Sequence, residues 1–236
     1  MRNALVTATA GLCAGMLSIA IVGCSAGTKT DAASSQGSAV TSASPQPSST
    51  LPPVPLRADG SKTTLHDYIV ENKIAETPIK AQAPGTPKVE LPFPPGWSQL
   101  AKDDVPEWAY GGIIYDSPKD PTNPPIILAI ANKLAGNVKQ ADILQYAPGM
   151  LQNLSDFEPV GEPELTKSSG FDSIVTKGTY VNNGMKMVVG EKTTVVPGKD
   201  SDFFVLQLQA TAPADERQVV IDAVNFLNSN TTITAP

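Results

Sequence analysis

The apolar positions of this chain change their spacing several times, and each change marks a boundary. An apolar run, broken only by small and hydroxylated residues, extends from Ala4 to Val22. A stretch with almost no apolar period follows, and regular patterning starts near Thr63. Leu65, Tyr68 and Ile69 then share one helical face, with Thr64 placed as a cap and Asp67 three residues on, so a short helix is predicted that ends before Pro78. Lys88–Leu91 fits a short strand. Pro92-Phe93-Pro94-Pro95-Gly96-Trp97 forces a turn between two aromatics. Trp108–Asp116 reads as a strand in which Gly111-Gly112 signals a bulge or a close backbone approach. The loop Asp116–Pro125 holds four prolines. Ile126–Leu134 alternates as a strand, with Ile126, Leu128, Ile130 and Leu134 directed to the core and Asn132 as the exception.

Asn137-Val138-Lys139-Gln140 has the form of a capping box opening a second helix, whose stripe is Ile143, Leu144, Ala147, Met150, Leu151 and Leu154. Pro148 should kink it or start a new short helix after Tyr146. From Glu162 to Thr211 the period is two. Phe171–Val181 is a strand, Asn182-Asn183-Gly184 a hairpin turn, and Met185, Met187, Val189 and Val195 mark one face of the return strand. After a turn at Pro197–Ser201 comes the strand Phe203–Ala210, with Phe204, Leu206, Leu208 and Ala210 on one side. A last helix begins after Pro213 and buries Val219, Val220, Ala223, Phe226 and Leu227. Three consecutive strands joined by tight turns require a largely antiparallel sheet. With helices to cover it, the fold class is α+β, in one domain over residues 62–236.

The first 61 residues carry an address rather than a fold. Arg2 precedes the apolar run, which ends in Ile21-Val22-Gly23-Cys24. That is the layout of a secretory signal peptide, residues 1–23, closing on a lipobox. Cleavage before Cys24 would leave its sulfur carrying diacylglycerol. At roughly 0.8 kcal/mol per buried CH₂, two or three acyl chains hold a domain firmly on the extracytoplasmic face of a membrane. The competing readings are an uncleaved spanning helix and a secreted protein without lipid; the polar spacer directly after Gly23-Cys24 favours cleavage. Residues 24–61 are rich in Ser, Thr, Ala, Gly and Pro, too poor in apolar side chains to order themselves, and read as a disordered linker.

Charge and composition narrow the function. The formal net charge is −6, and losing Arg2 with the leader makes it −7. There is no basic run, which argues against nucleic acid and against electrostatic adhesion to anionic lipid. Cys13 falls in the leader and Cys24 is the acylated residue, so no disulfide forms within the mature chain. His66 is the one histidine and reads as a surface residue. No nucleophile elbow, Walker loop, H-E-x-x-H or zinc spacing occurs, so no catalytic residue, metal ligand or cofactor is assigned and the chain is expected not to be an enzyme. Asp116, Asp120 and Asn123 match no calcium spacing and read as a rigid surface turn. Lys167, Lys177 and the run Lys186–Lys192 read as solvated strand faces. Trp97, Trp108 and Tyr110 are the candidates to line an apolar ligand groove, against the plainer reading that they are ordinary core.

The chain also resembles the mycobacterial lipoproteins of the LpqN/LpqT group. Besides the lipobox at Cys24 and the Ser/Thr/Pro spacer, the resemblance runs through Leu65-His66-Asp67-Tyr68-Ile69, Glu76-Thr77-Pro78, Gly96-Trp97, Tyr110-Gly111-Gly112, Gln145-Tyr146-Ala147-Pro148-Gly149 and Phe204-Val205-Leu206-Gln207-Leu208. It implies a Mog1/PsbP-like α/β/α sandwich and an actinobacterial cell envelope. It further suggests an accessory role near trehalose-mycolate export, through contact with an RND-type membrane transporter. Taken together with the membrane tether and with Gly111-Gly112 beside the aromatics, it leads to the expectation that an acylated trehalose or similar amphiphile binds with its tail in an apolar groove lined by Trp97, Trp108 and Tyr110 and its sugar head at the rim. The alternative it leaves open is a surface lipoprotein working by protein contacts, host proteins included, with no lipid ligand.

Overall fold

The computed structural model describes residues 51–80 and 83–236. The leader, Cys24 and the spacer up to residue 50 lie outside the described residues. The order begins α1 (Leu65–Glu71), β1 (Ala75–Pro78), β2 (Lys88–Glu90), β3 (Trp97–Gln99), β4 (Gly111–Tyr115) and β5 (Ile126–Ala135). It continues α2 (Gln140–Tyr146), α3 (Gly149–Gln152), β6 (Glu158–Pro159), β7 (Glu164–Ser168) and β8 (Phe171–Asn182). It closes with β9 (Met185–Pro197), β10 (Phe203–Pro213), α4 (Arg217–Asn230) and β11 (Thr232–Thr234).

The main sheet is antiparallel throughout, in the order β3-β4-β5-β10-β9-β8-β6, with β1 also pairing with β5 and β7 with β8. Its centre is the meander β8-β9-β10. The first turn of that meander is Asn183-Gly184, at φ 50° and 80°, the two left-handed residues that match the twist of a two-residue hairpin. The second is closed by Gly198 N–H donating to Asp202 O at 2.8 Å. β11 returns to β2 as a separate two-stranded ribbon.

Helices cover both faces of the sheet. On one, called here the front, Leu134, Ile174, Val195 and Val205 pack under Tyr68, Ile69, Ile143 and Leu144 of α1 and α2. On the back, Ile127, Ala210 and Ala212 lie under Val220, Ala223 and Leu227 of α4, while Ala131, Phe204 and Leu206 lie under Ile79 and Ile233. Burial of each large side chain contributes roughly 1.5–3 kcal/mol. This arrangement corrects the one-sided assignment of β5: Leu134 is 0% exposed on the front, and Ile127 (3%) and Ala131 (4%) are as deeply buried on the back.

Helix starts follow local chemistry in one case and not in the other. Thr64 and Asp67 form the expected reciprocal capping box of α1. The box expected at Asn137 is absent. Lys139 is the N-cap of α2 and makes no side-chain cap bond. Val138 is drawn into the core at 7% exposure, which holds its neighbours out of the helix, and the Gln140 amide reaches Asp172 instead of turning back. At Pro148 the helix does break, α2 ending at Tyr146 and α3 starting at Gly149. The C-terminal end of the presumed linker also differs from expectation. Val54 is 7% exposed, Leu51 packs on the front core, and Arg57 pairs with Asp67 at 2.6 Å, so residues 51–61 lie along the domain. Two apolar side chains, the ion pairs of Arg57 with Asp67 and Glu71, and hydrogen bonds to the Pro53 and Pro55 carbonyls seat a segment whose composition is otherwise that of a spacer.

Candidate functional site

The front helices do not close over the whole sheet. Between α1, α3 and the strands β5 and β10 lies an open-mouthed cavity of about 150 Å³. Leu65, Ile69, Leu134, Ala147 and Val205 give it apolar walls, Met150 and the exposed His66 stand among its lining residues, and Thr64, Glu76, Asn132 and Gln207 supply polar groups. Sequence position explains the polar set. Asn132 interrupts the apolar alternation of β5 on the front face, where it pairs in register with Pro78 of β1, and its amide donates diagonally to Glu76 Oε1 at 2.8 Å. Gln207 interrupts β10 between Val205 and the outer half of the strand.

Behind Gln207 is a buried carboxyl. Glu191 is 4% exposed and lies on the front face of β9, in the same alternating row as Val189, Thr193 and Val195. Its Oε1 accepts from Gln207 Nε2 at 2.9 Å and from Thr193 Oγ1 at 3.1 Å, and its Oε2 is buried with no partner among the described residues. Burial pushes its pKa from the ordinary 4.5 up to about 7, against the smaller opposing effect of the two hydrogen bonds. Glu191 is the residue that sequence reasoning missed by treating Lys186–Lys192 as solvated. The period of two that places Met187, Val189 and Val195 inward places Glu191 inward as well. Its neighbour Lys192 is half-buried on the back, where burial lowers its pKa and its amine donates to Asn228 Oδ1 at 2.7 Å.

The structure does not bring Trp97, Trp108 and Tyr110 together at one cavity. Trp97 is 6% exposed in the back core, its ring 5.7 Å from that of Tyr115. Trp108 stands 53% exposed on the loop before β4. Tyr110 alone lines a cavity, a back-face crevice of about 30 Å³ shared with Leu206, Leu208, Leu227, Ile233 and Lys192. The space beside Gly112 is taken by Leu100 and Leu128, so that glycine serves packing. In the 116–125 loop the Asp120 carboxylate accepts from Thr122 and Asn123, and these bonds hold its pKa below the usual range.

An antiparallel sheet between helices, with a small cavity of mixed apolar and polar lining beside α1 and α3, defines an α+β module. The chain belongs to the probable lipoprotein LpqN family, whose family model matches residues 61–234. It is similar to lipoprotein LpqN of Mycobacterium tuberculosis, 39% identical over 226 residues that cover 96% of this chain and 98% of that protein. It is more distantly similar to a proline-rich 28 kDa antigen homolog of Mycobacterium leprae, 24% identical over 78% of this chain and 66% of that one. Among solved structures it resembles the crystal structure of the LpqN involved in cell envelope biogenesis of M. tuberculosis. That match has a TM-score of 0.68 at 42% identity, covering 72% of this chain and 97% of the other. As a member of this lipoprotein family the chain is envelope-associated and lipid-anchored. Among the described residues no helix is long and apolar enough to cross a membrane.

Proposed function

We propose that this lipoprotein is a tethered binding and adaptor module of cell envelope biogenesis, accessory to trehalose-mycolate export, and that it holds the sugar head of an acylated trehalose in the front cavity rather than transforming it. The observation that carries this reading is the match between the cavity's size and its walls. A cavity of about 150 Å³ takes one six-membered ring. An apolar ring would need dry walls, whereas Asn132, Glu76, Gln207 and Thr64 offer amide, carboxylate and hydroxyl partners to a hydroxylated one. The apolar side chains Leu65 and Ile69 suit the carbon face of such a ring. One ring of trehalose would enter, and the second ring with its acyl chain would lie at the mouth near Met150 and His66.

Titration calorimetry with free trehalose and with singly acylated trehaloses tests this. Free trehalose should bind, a short tail should strengthen binding modestly, and Asn132→Leu should weaken both by about tenfold. No heat from any of these sugars would reject the cavity as a head-group site.

A second reading rests on Trp108. A tryptophan 53% exposed on the loop leading into β4, next to the short edge strand β3 in the sheet, is the residue type that anchors protein contacts. It supports an adaptor that works by touching a partner, an RND-type transporter or a host protein. Loss of partner capture in Trp108→Ala with sugar binding unchanged would favour it.

A further inference from the structure

We infer that Glu191 decides which end of the Gln207 side-chain amide faces the front cavity, and so whether that wall offers a ligand hydroxyl an acceptor or a donor. The inference rests on the head-group reading above for its ligand; its structural half stands without it.

The geometry is a three-residue relay on the front face of β9 and β10. Gln207 is paired in register with Thr193, and Glu191 follows two residues along the same row. The amide nitrogen of Gln207 donates to Glu191 Oε1 at 2.9 Å and to Thr193 Oγ1 at 3.3 Å. The Thr193 hydroxyl in turn donates to Glu191 Oε1 at 3.1 Å. Both amide protons are therefore committed to β9, which leaves the carbonyl as the end of the planar amide that faces away from β9, on a side chain that lines the cavity. The arrangement needs an acceptor at residue 191. A protonated Glu191 has a proton to give, and in a site 4% exposed an unpaired donor is costly. Rotating the Gln207 amide by half a turn restores the pairing: the carbonyl accepts from the acid and the NH₂ swings to the cavity. Amide oxygen and nitrogen are nearly the same size, and the terminal torsion of glutamine is soft, so the exchange needs no repacking.

The surroundings leave this choice to the proton. Glu191 is flanked in register by Thr176 of β8 and Gln209 of β10. Other charged or titratable groups on the front face have their own partners or lie apart. Asp172 pairs with Lys167 and Gln140. Asp142 takes the Tyr68 hydroxyl at 3.0 Å, and Tyr146 stacks on Tyr68. Glu76 accepts from Asn132, His66 is exposed at the cavity, and Tyr180 lies further along β8. None of them hydrogen-bonds Glu191. Burial, with no charged neighbour contributing, brings its pKa to about 7, so both proton states occur near neutrality.

The test follows the Gln207 side-chain NH₂ signals of ¹⁵N-labelled protein from about pH 5 to about pH 9, identified by their loss in Gln207→Met. They should shift with a midpoint near 7 in the wild type and stay flat in Glu191→Gln. Flat signals in the wild type, which needs no variant, or an unchanged titration in a folded Glu191→Gln, would overturn the inference. In parallel, trehalose affinity measured below and above the midpoint should differ by about three- to tenfold in the wild type and by nothing in Glu191→Gln. A wild type that binds trehalose equally at both pH values would overturn the link to the ligand. Absence of trehalose binding at either pH would reject the head-group reading, while the NH₂ titration still decides the amide.

Discussion

Gln207 and Glu191 lie on adjacent strands, two residues out of register, and are joined by a 2.9 Å hydrogen bond that ties the wall of the front cavity to a buried carboxyl. Burial of that carboxyl, only partly offset by the bond, makes stability depend on pH. The folded-state pKa of Glu191 is raised from 4.5 to about 7, so the native state holds its proton more tightly than the unfolded chain. Its contribution is fully present below about pH 4.5 and is lost as pH rises through about 7, a loss of roughly 3 kcal/mol in all. Urea unfolding at several pH values should show this decline, and Glu191→Gln should remove most of it. A wild type whose midpoint is flat from about pH 5 to about pH 8.5 would show that the carboxyl is not buried as described.

The two tryptophans separate core from surface. Trp97→Ala removes a side chain 6% exposed and should cost about 3–5 kcal/mol. Trp108→Ala, at 53% exposure, should change stability by about 0.5 kcal/mol or less. Equal losses in thermal unfolding would mean that Trp108 packs against the domain.

Gly149 marks where the segment before α1 crosses α3. A Cβ built there would collide with the Thr63 backbone, and backbone cannot yield as a flexible side chain can. Gly149→Ala should cost about 1–3 kcal/mol and loosen the paired bonds between Lys62 and Asn153. Hydrogen exchange should then rise at Lys62 and Thr63 first. Unchanged protection there would show that the crossing does not depend on the glycine.

Much of the fold was legible because short-range signals agreed with the tertiary outcome. Thr64 with Asp67 fixes the start of α1, Asn183-Gly184 fixes the β8–β9 hairpin, and Pro148 divides α2 from α3. The failures share one cause, the override of a local signal by packing between distant elements. Val138 is taken by the core, which voids the cap at Asn137. Leu51 packs on the front core and Val54 is buried, which orders a segment with the composition of a spacer. The candidate site was hidden for the same reason. Its polar residues, Asn132, Gln207 and Glu191, look like breaks in alternating strands until the sheet places them on one face. Glu191 was the most recoverable of them, since the row Met187, Val189, Thr193, Val195 runs straight through it.

The anchor is a separate prediction. Replacing Cys24 by Ala should abolish lipid labelling and leave the precursor unprocessed, because diacylglycerol attachment precedes cleavage at the lipobox. Maturation at the same site with continued membrane retention after a salt wash would reject Cys24 as the anchor.

The central claim, a sugar head in the front cavity, is tested most directly at one methyl group. Met150 lines the cavity, while Met187 and Met185 lie at the far end of β9, about 20 and about 27 Å from Thr193 along the strand. In protein carrying ¹³C-methyl methionine, added trehalose should shift the Met150 signal saturably and leave Met185 and Met187 in place. A Met150 signal that does not move, or equal movement of all three, would contradict the assignment.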